Sequence, residues 1–600
     1  MPSPLLLALA VAAAGPAWQA DLTRYFPDAA TELSQRTALM QRIDAYAARP
    51  AAVPATPAAL LERLRTYDAL YKDIERHDTY VYLRAESDTD DRADAAADTA
   101  LGDAIDTIAD AAGRSLAALG AAGADRFVAR EPRLAPWRFF IATRLKAAAT
   151  AESSEAAQTL LARPALASLG DAYAELRRQA RAAAAPASDP APGRAAFLAQ
   201  WTPYLANEPG FAAVLAPLVT VQEGQARLQG FANAADAAYA RRGLSTAQVH
   251  AALAAVRGSP AYTHYAATLA SAAARRLKLP ADALNSWDLD APEARRPPAT
   301  AFPDAVALVL AAVKPMGAEY AGQYERLFDP AAGRVEWCHA DKCDDGGFST
   351  GFAGVASGLF YGAFDGRTDA IRAVAHEAGH AVHRQFMNEH QPLAAYNAGP
   401  AFLFESFAIF NELLLLDHLQ RGATTPAARA WYLQQFMDDT MHNVFGSARE
   451  TDLEEALHAG VRDGTLRNAA DFDALTLARL RAYTPAPLVA PEMKAFWAKN
   501  RLYFRDPFYD VNYLFAGLLA LEYLHRFERD PAGFAPRYLA LLKNGFDAEP
   551  KALLQRFVGI DLDDADGLAA DASALMDARG AALARLLDCA DADADACTVR

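Results

Sequence analysis

Residues 371–386 read IRAVAHEAGHAVHRQF, and within them His376, Glu377 and His380 form the pattern His-Glu-x-x-His. On an α-helix, positions four apart differ by about 40° and about 6 Å of rise, so both imidazoles leave the same face. Two neutral ring nitrogens there can bind one metal at roughly 2.0–2.1 Å. Glu377, next to the first histidine, is placed to take a proton from water on that metal without ligating it. Ile371, Val374, Ala375 and Phe386 supply an apolar side, and Thr368 or Asp369 is expected to cap the start. The segment reads as a helix with one buried face and one face for chemistry.

A catalytic zinc needs a third protein ligand and an open position. A third histidine six residues past His380 would be the metzincin solution, but that position is Phe386. Downstream, AFLFESFAIFNELLLL sets Glu405 in an otherwise apolar helical stretch. A carboxylate there is costly without a partner, and a metal is a suitable one. Glu405 is therefore read as the third ligand. Glu412, two turns further along, is read as the acceptor of a ligand histidine's free N–H, with an ion-paired helix carboxylate as the competing reading. His383, one turn past His380, is read as a packed neighbour rather than a ligand.

The texture around this pair sets the expected fold class, which is mainly α. From Asp21 to about Asp290, apolar residues recur at helical spacing, as in Leu60, Leu61, Leu64, Tyr67, Leu70 and Tyr71. Proline-rich interruptions fall near 50–57, 186–192 and 292–303, and the third is the expected boundary between lobes. The expected division is a probable leader at 1–20, an N-terminal helical lobe at 21–303, a catalytic lobe at 304–580 and an acidic tail at 581–600. Just before the histidines, GGFSTGFAGVASGLFYGAFDG (346–366) is rich in Gly, Phe, Ser and Thr. It reads as one or two short strands beside the zinc-binding helix, with a glycine-permitted turn.

Composition bounds the partners. Of 600 residues, 52% are hydrophobic and 22% charged, a soluble globular balance, and the formal net charge of -16 repels a polyanion such as nucleic acid. The run from Leu5 to Ala14 is too short to span a bilayer and resembles the apolar core of a secretory signal, with cleavage after Ala17 or Ala20. No other stretch reads as membrane-spanning. Four cysteines form two local pairs, Cys338 with Cys343 and Cys589 with Cys597. Two small disulfide loops suit an oxidising compartment, so a periplasmic or secreted bacterial protein is expected.

HEAGHAVH followed downstream by FLFESFAIFNELLL resembles the thimet oligopeptidase and oligoendopeptidase F family of zinc metallopeptidases. The glycine- and phenylalanine-rich segment before the helix, VFGSARETDLEEALH at 444–458 and DPFYDVNYLFAGLLALEYL at 506–524 resemble that family too. The resemblance covers roughly 346–524 and lies nearest the oligoendopeptidase F branch. It implies a two-lobed helical body with a deep substrate channel and one zinc ion on its floor, held by His376, His380 and Glu405, with Glu377 as general base. Tyr509 and Tyr513 match the family's tyrosine-bearing segment, where a phenol donates to the developing oxyanion; packing in an aromatic-rich helix is the competing reading. The chain departs from the family at two places. Arg501, Leu502 and Tyr503 stand where a histidine is usual, and Ala408 replaces a small hydroxylic residue.

The expected function is zinc-dependent endopeptidase action on short peptides by a monomer. Two rivals are kept: a dipeptidyl carboxypeptidase-like exopeptidase on the same metal centre, and an inactive peptide-binding protein on the same fold.

Overall fold

A computed structural model describes residues 18–48, 53–151, 163–183, 193–290, 293–338, 342–344, 346–351, 354–485 and 488–591. Among the described residues the body is mainly helical, with one three-stranded sheet. Among the described residues no helix is long and apolar enough to cross a membrane.

Packing divides the chain into two compact units. The first comprises Met1–Phe140, Ala299–Ala398 and Leu542–Gly545; the second comprises Ile141–Pro298, Gly399–Leu541 and Phe546–Arg600. The expected lobes at 21–303 and 304–580 differ from this. The crossing at 298/299 falls inside the proline-rich stretch read as a boundary. The crossings at 140/141 and 398/399 have no comparable signal, because prolines mark where a helix must stop, not which body the next helix joins.

In the first unit, the helix Pro57–Ser87 starts at Thr56, whose hydroxyl accepts the Ala59 N–H at 3.1 Å, with Pro57 in the first turn. Its Leu60, Leu61, Leu64, Tyr67, Leu70 and Tyr71 are all buried, as their spacing predicts. The sheet has strands β1 (Val335–Cys338), β2 (Gly347–Thr350) and β3 (Gly358–Gly362) in the order β1-β3-β2. β3 runs parallel to β1 and antiparallel to β2, with Phe348 opposite Phe360. Two of these strands lie in the glycine-rich stretch; β1, upstream, was not foreseen. Gly351 makes the turn out of β2 at φ +123°, where a Cβ would sit 2.4 Å from the Ser357 Cα, so only glycine fits. The outer edge of β1 is taken by the Trp18 carbonyl, which accepts the Trp337 N–H at 2.9 Å, while the Ala20 N–H reaches the Glu336 carboxylate at 2.7 Å. Cys338, the last residue of β1, forms a disulfide with Cys343, with Cα atoms 6.1 Å apart.

The histidine helix, Thr368–His390, follows the sheet. Thr368 and Asp369 do not cap it. Arg367 occupies the cap position in extended conformation and makes no side-chain bond there, and the Asp365 carboxylate accepts the Arg367 N–H at 2.9 Å. Asp369 lies instead inside the first turn, where its charge suits the helix dipole.

The core of the second unit joins the glutamate helix, Ala401–Gly422, to the tyrosine helix, Asp510–Arg529. Phe410 is the hub: its ring lies 5.2 Å from Tyr538, 5.9 Å from Tyr523 and 6.1 Å from Phe534, all edge-on. Such edge-to-face contacts add to the burial of each ring. The last helix, Ala565–Asp591, corrects the expected tail at 581–600. Leu583 and Leu587 are buried in the core, because the leucines at 583, 586 and 587 continue the helical stripe. The remainder of the tail, with Cys597 of the expected second disulfide, lies outside the described residues, as does the expected leader up to Ala17.

Candidate metal centre

The histidine helix buries Ile371, Val374, Ala375, Ala378, Val382 and Phe386, which fixes its rotation. That leaves His376 and His380 half-buried on another face. Their rings stand nearly perpendicular, 4.7 Å apart, with the two Nε2 atoms separated by 3.1 Å. Glu405 sits half-buried in the first turns of the glutamate helix, anchored on either side by buried Phe402, Leu403, Phe407 and Ala408. His376 and His380 belong to the first unit and Glu405 to the second.

This donor set passes a simple test for zinc. Two nitrogens each about 2.0–2.1 Å from a tetrahedral ion stand about 3.3–3.4 Å apart. The observed 3.1 Å is close to that separation. Two imidazoles and one carboxylate also match the donors that catalytic zinc sites use.

His383, also on the histidine helix, is not part of the group. It is buried, and burial, followed by the charges of Arg384 and His380, holds its pKa well below the usual histidine range. Glu412 is buried two turns beyond Glu405.

Glu377 is half-buried and faces the sheet. A Cβ added at Gly347 would lie 3.3 Å from the Glu377 Cγ and 2.8 Å from the Tyr361 ring, so the missing side chain on β2 is what lets the strand pass so near. Burial raises the Tyr361 phenol to about 12, helped by the charges of Asp365 and Glu377. Arg384, one turn beyond His380, was not singled out in the sequence. It feels the charges of Glu75 and Glu377, and its Nε donates to the Ser349 Oγ on β2 at 3.4 Å. The signal was available: positions 376, 380 and 384 form one helical stripe.

Tyr509 and Tyr513 are half-buried at the start of the tyrosine helix, with ring centroids 5.5 Å apart. Burial and then the Glu405 charge raise the Tyr509 phenol to about 12, and the same two causes raise Tyr513 further. Both therefore carry their proton at neutral pH. Tyr503, at one of the departures from the family pattern, is buried and donates its hydroxyl to the Glu450 carbonyl at 2.9 Å. Ala408 is packed in the core.

The body is mainly helical, with a small sheet beside the His-Glu-x-x-His helix and Glu405 on a second helix. Solved structures share this fold. Residues 367–572 match the model of peptidase family M3. An oligoendopeptidase F homolog of Lactococcus lactis subsp. lactis (strain IL1403) is 25% identical over 204 residues, 33% of each chain, so the match spans about a third of that relative's length. Among solved structures, a candidate peptidase of Chlamydophila abortus superposes with a TM-score of 0.77 at 19% identity, over 96% of this chain and 99% of that one. The oligoendopeptidase F of Enterococcus faecium superposes with a TM-score of 0.66 at 18% identity, over 93% and 99%. The segment 367–572 is thus similar to peptidase family M3 and to oligoendopeptidase F, whose fold the chain shares.

Proposed function

We propose that this chain is a zinc-dependent endopeptidase of short peptides, in which His376, His380 and Glu405 hold one zinc ion. The observation that carries the reading is the pair of histidine nitrogens 3.1 Å apart, nearly the spacing a tetrahedral ion requires. When bound, zinc supplies a Lewis acid that polarises a carbonyl and lowers the pKa of water toward about 7. Glu377, adjacent to His376 but outside the donor set, takes the proton of the attacking water and passes it to the leaving amine. Tyr509 and Tyr513, kept protonated, donate O–H to the oxygen that gains charge as the carbonyl carbon becomes tetrahedral.

Peptide binding falls to β2. In the order β1-β3-β2, the far edge of β1 is already used by Trp18, whereas β2 is the opposite edge and passes beside Glu377. An extended peptide paired along that edge is held through its backbone, which tolerates many side chains. The reading extends to export, with the leader removed after Ala17: Trp18 and Ala20 are bonded to β1 and belong to the folded body.

Glu377→Gln tests the mechanism. It keeps the shape and the metal donors but cannot accept the proton. Zinc content measured by mass spectrometry is expected to stay at one per chain, while hydrolysis of a peptide pool falls by about 10²–10⁴-fold. Hydrolysis at the parent rate would end the proposed mechanism, and zinc without any hydrolysis in the parent enzyme would favour the peptide-binding rival. An end-blocked peptide separates endopeptidase from exopeptidase action, since only the former cuts it internally.

A further inference from the structure

Phe508, directly before Tyr509, has a φ of +61°. A side chain with a Cβ avoids that region, and a bulky aromatic has no local hydrogen bond to compensate. Strain of this kind persists only where the surroundings impose it. Here one helix, Ser447–Arg462, grips the residue twice. The Glu454 Oε2 accepts the Phe508 N–H at 2.8 Å, and one turn on the His458 ring lies 4.6 Å from the Phe508 ring. Glu454 is 1% exposed, and its other oxygen, Oε1, has no hydrogen-bond partner among the described residues. A carboxyl buried this deeply is expensive where an apolar residue would pack.

We propose that Glu454 is a positioning residue, which by accepting the Phe508 N–H holds the left-handed turn that aims Tyr509 and Tyr513. The proposal rests on the oxyanion reading of those two tyrosines. Burial, with the Asp510 charge next, raises the Glu454 pKa well above the carboxylate range, so it acts as a neutral acceptor. Without that acceptor, Phe508 relaxes toward negative φ. That rotation, about the Phe508 N–Cα bond, swings the chain that continues into Tyr509, and Tyr513, 5.5 Å from it, loses its neighbour. Peptide held along β2 is untouched, so the loss belongs to the chemical step.

The test uses the full zinc-loaded enzyme in five forms: the parent, Glu454→Gln, Glu454→Met, Tyr509→Phe and Tyr513→Phe. Glutamine copies a neutral carboxyl and keeps the acceptor, whereas methionine fills the space and removes it. Glu454→Met is expected to lower kcat by about 10- to 100-fold, with KM within about threefold and zinc content unchanged. Glu454→Gln is expected to restore kcat to within about threefold of the parent. Parent-like kcat in Glu454→Met overturns the proposal, as does a loss of zinc in that variant, or Gln failing as badly as Met. If Glu454→Met does not fold, Glu454→Asp, whose shorter arm stretches the bond, takes its place, with a lowered kcat expected and an unchanged one overturning the idea. Unaltered kcat in both tyrosine variants would instead remove the oxyanion reading, and this proposal with it. Impaired tyrosine variants beside a parent-like Glu454→Met would remove this proposal alone.

Discussion

Glu75 shows how much a single buried carboxyl can decide. It is 4% exposed on the helix Pro57–Ser87, and burial, then the Asp78 charge, raises its pKa to about 8 against the opposing pull of Arg384. The unfolded chain releases this proton near the ordinary carboxyl value of 4.5, whereas the folded chain keeps it to about 8. Between those values the folded state binds the extra proton, so this group makes stability fall as pH rises across the window and adds no further slope above it. Urea midpoints measured from pH 5 to 8 are expected to drop more steeply in the parent than in Glu75→Gln, which cannot ionise. Parallel slopes would contradict the assignment. At this scale the proposed donors can be named from sequence because their spacing is itself the chemistry: a helix turns His376 and His380 onto one face, and an isolated carboxylate in an apolar helix needs a partner. Glu454 and Phe508 were not legible. No glycine or asparagine announces the left-handed residue, because the conformation is imposed by a bond from another helix.

At the scale of elements, the glutamate and tyrosine helices pack on each other through aromatic rings. Phe410 is completely buried among Tyr523, Phe534 and Tyr538. Phe410→Ala is expected to destabilise the second unit by about 3–5 kcal/mol, the usual cost of an aromatic-sized void. Chemical denaturation checks this, and a loss below about 1 kcal/mol would mean the cluster collapses around the gap. Helices were the most readable elements, since period and caps are local, as with Thr56 and Leu60 to Tyr71. The cap of the histidine helix was misread because Thr368 and Asp369 are typical capping types, yet the helix begins at Thr368 and puts both inside it. β1 was missed because four residues, VEWC, carry too little alternation, and its pairing partner β3 lies beyond β2 in the chain.

At the scale of the whole molecule, the mainly helical class and the small sheet beside the histidines were readable, while the partition into units was not. Each unit is assembled from separated segments, and nothing at 140/141 or 398/399 distinguishes a helix that stays from one that joins the other body. The N-terminus gives a prediction at this scale. Export through the expected leader should yield a mature chain that begins at Trp18, since Trp18 packs edge-on against Phe302 at 5.4 Å and closes the edge of β1. Intact-mass measurement of the exported protein checks it. A mature chain beginning at Asp21, stripped of those contacts, would contradict it.

The central claim is that two helices bring His376, His380 and Glu405 to one zinc ion. Anomalous diffraction collected at the zinc edge from crystals of the full chain tests it directly. The expected result is one strong peak about 2.0–2.2 Å from a nitrogen of each histidine and from a Glu405 carboxylate oxygen. A peak elsewhere, or one at the histidines with Glu405 out of bonding range, would contradict the account.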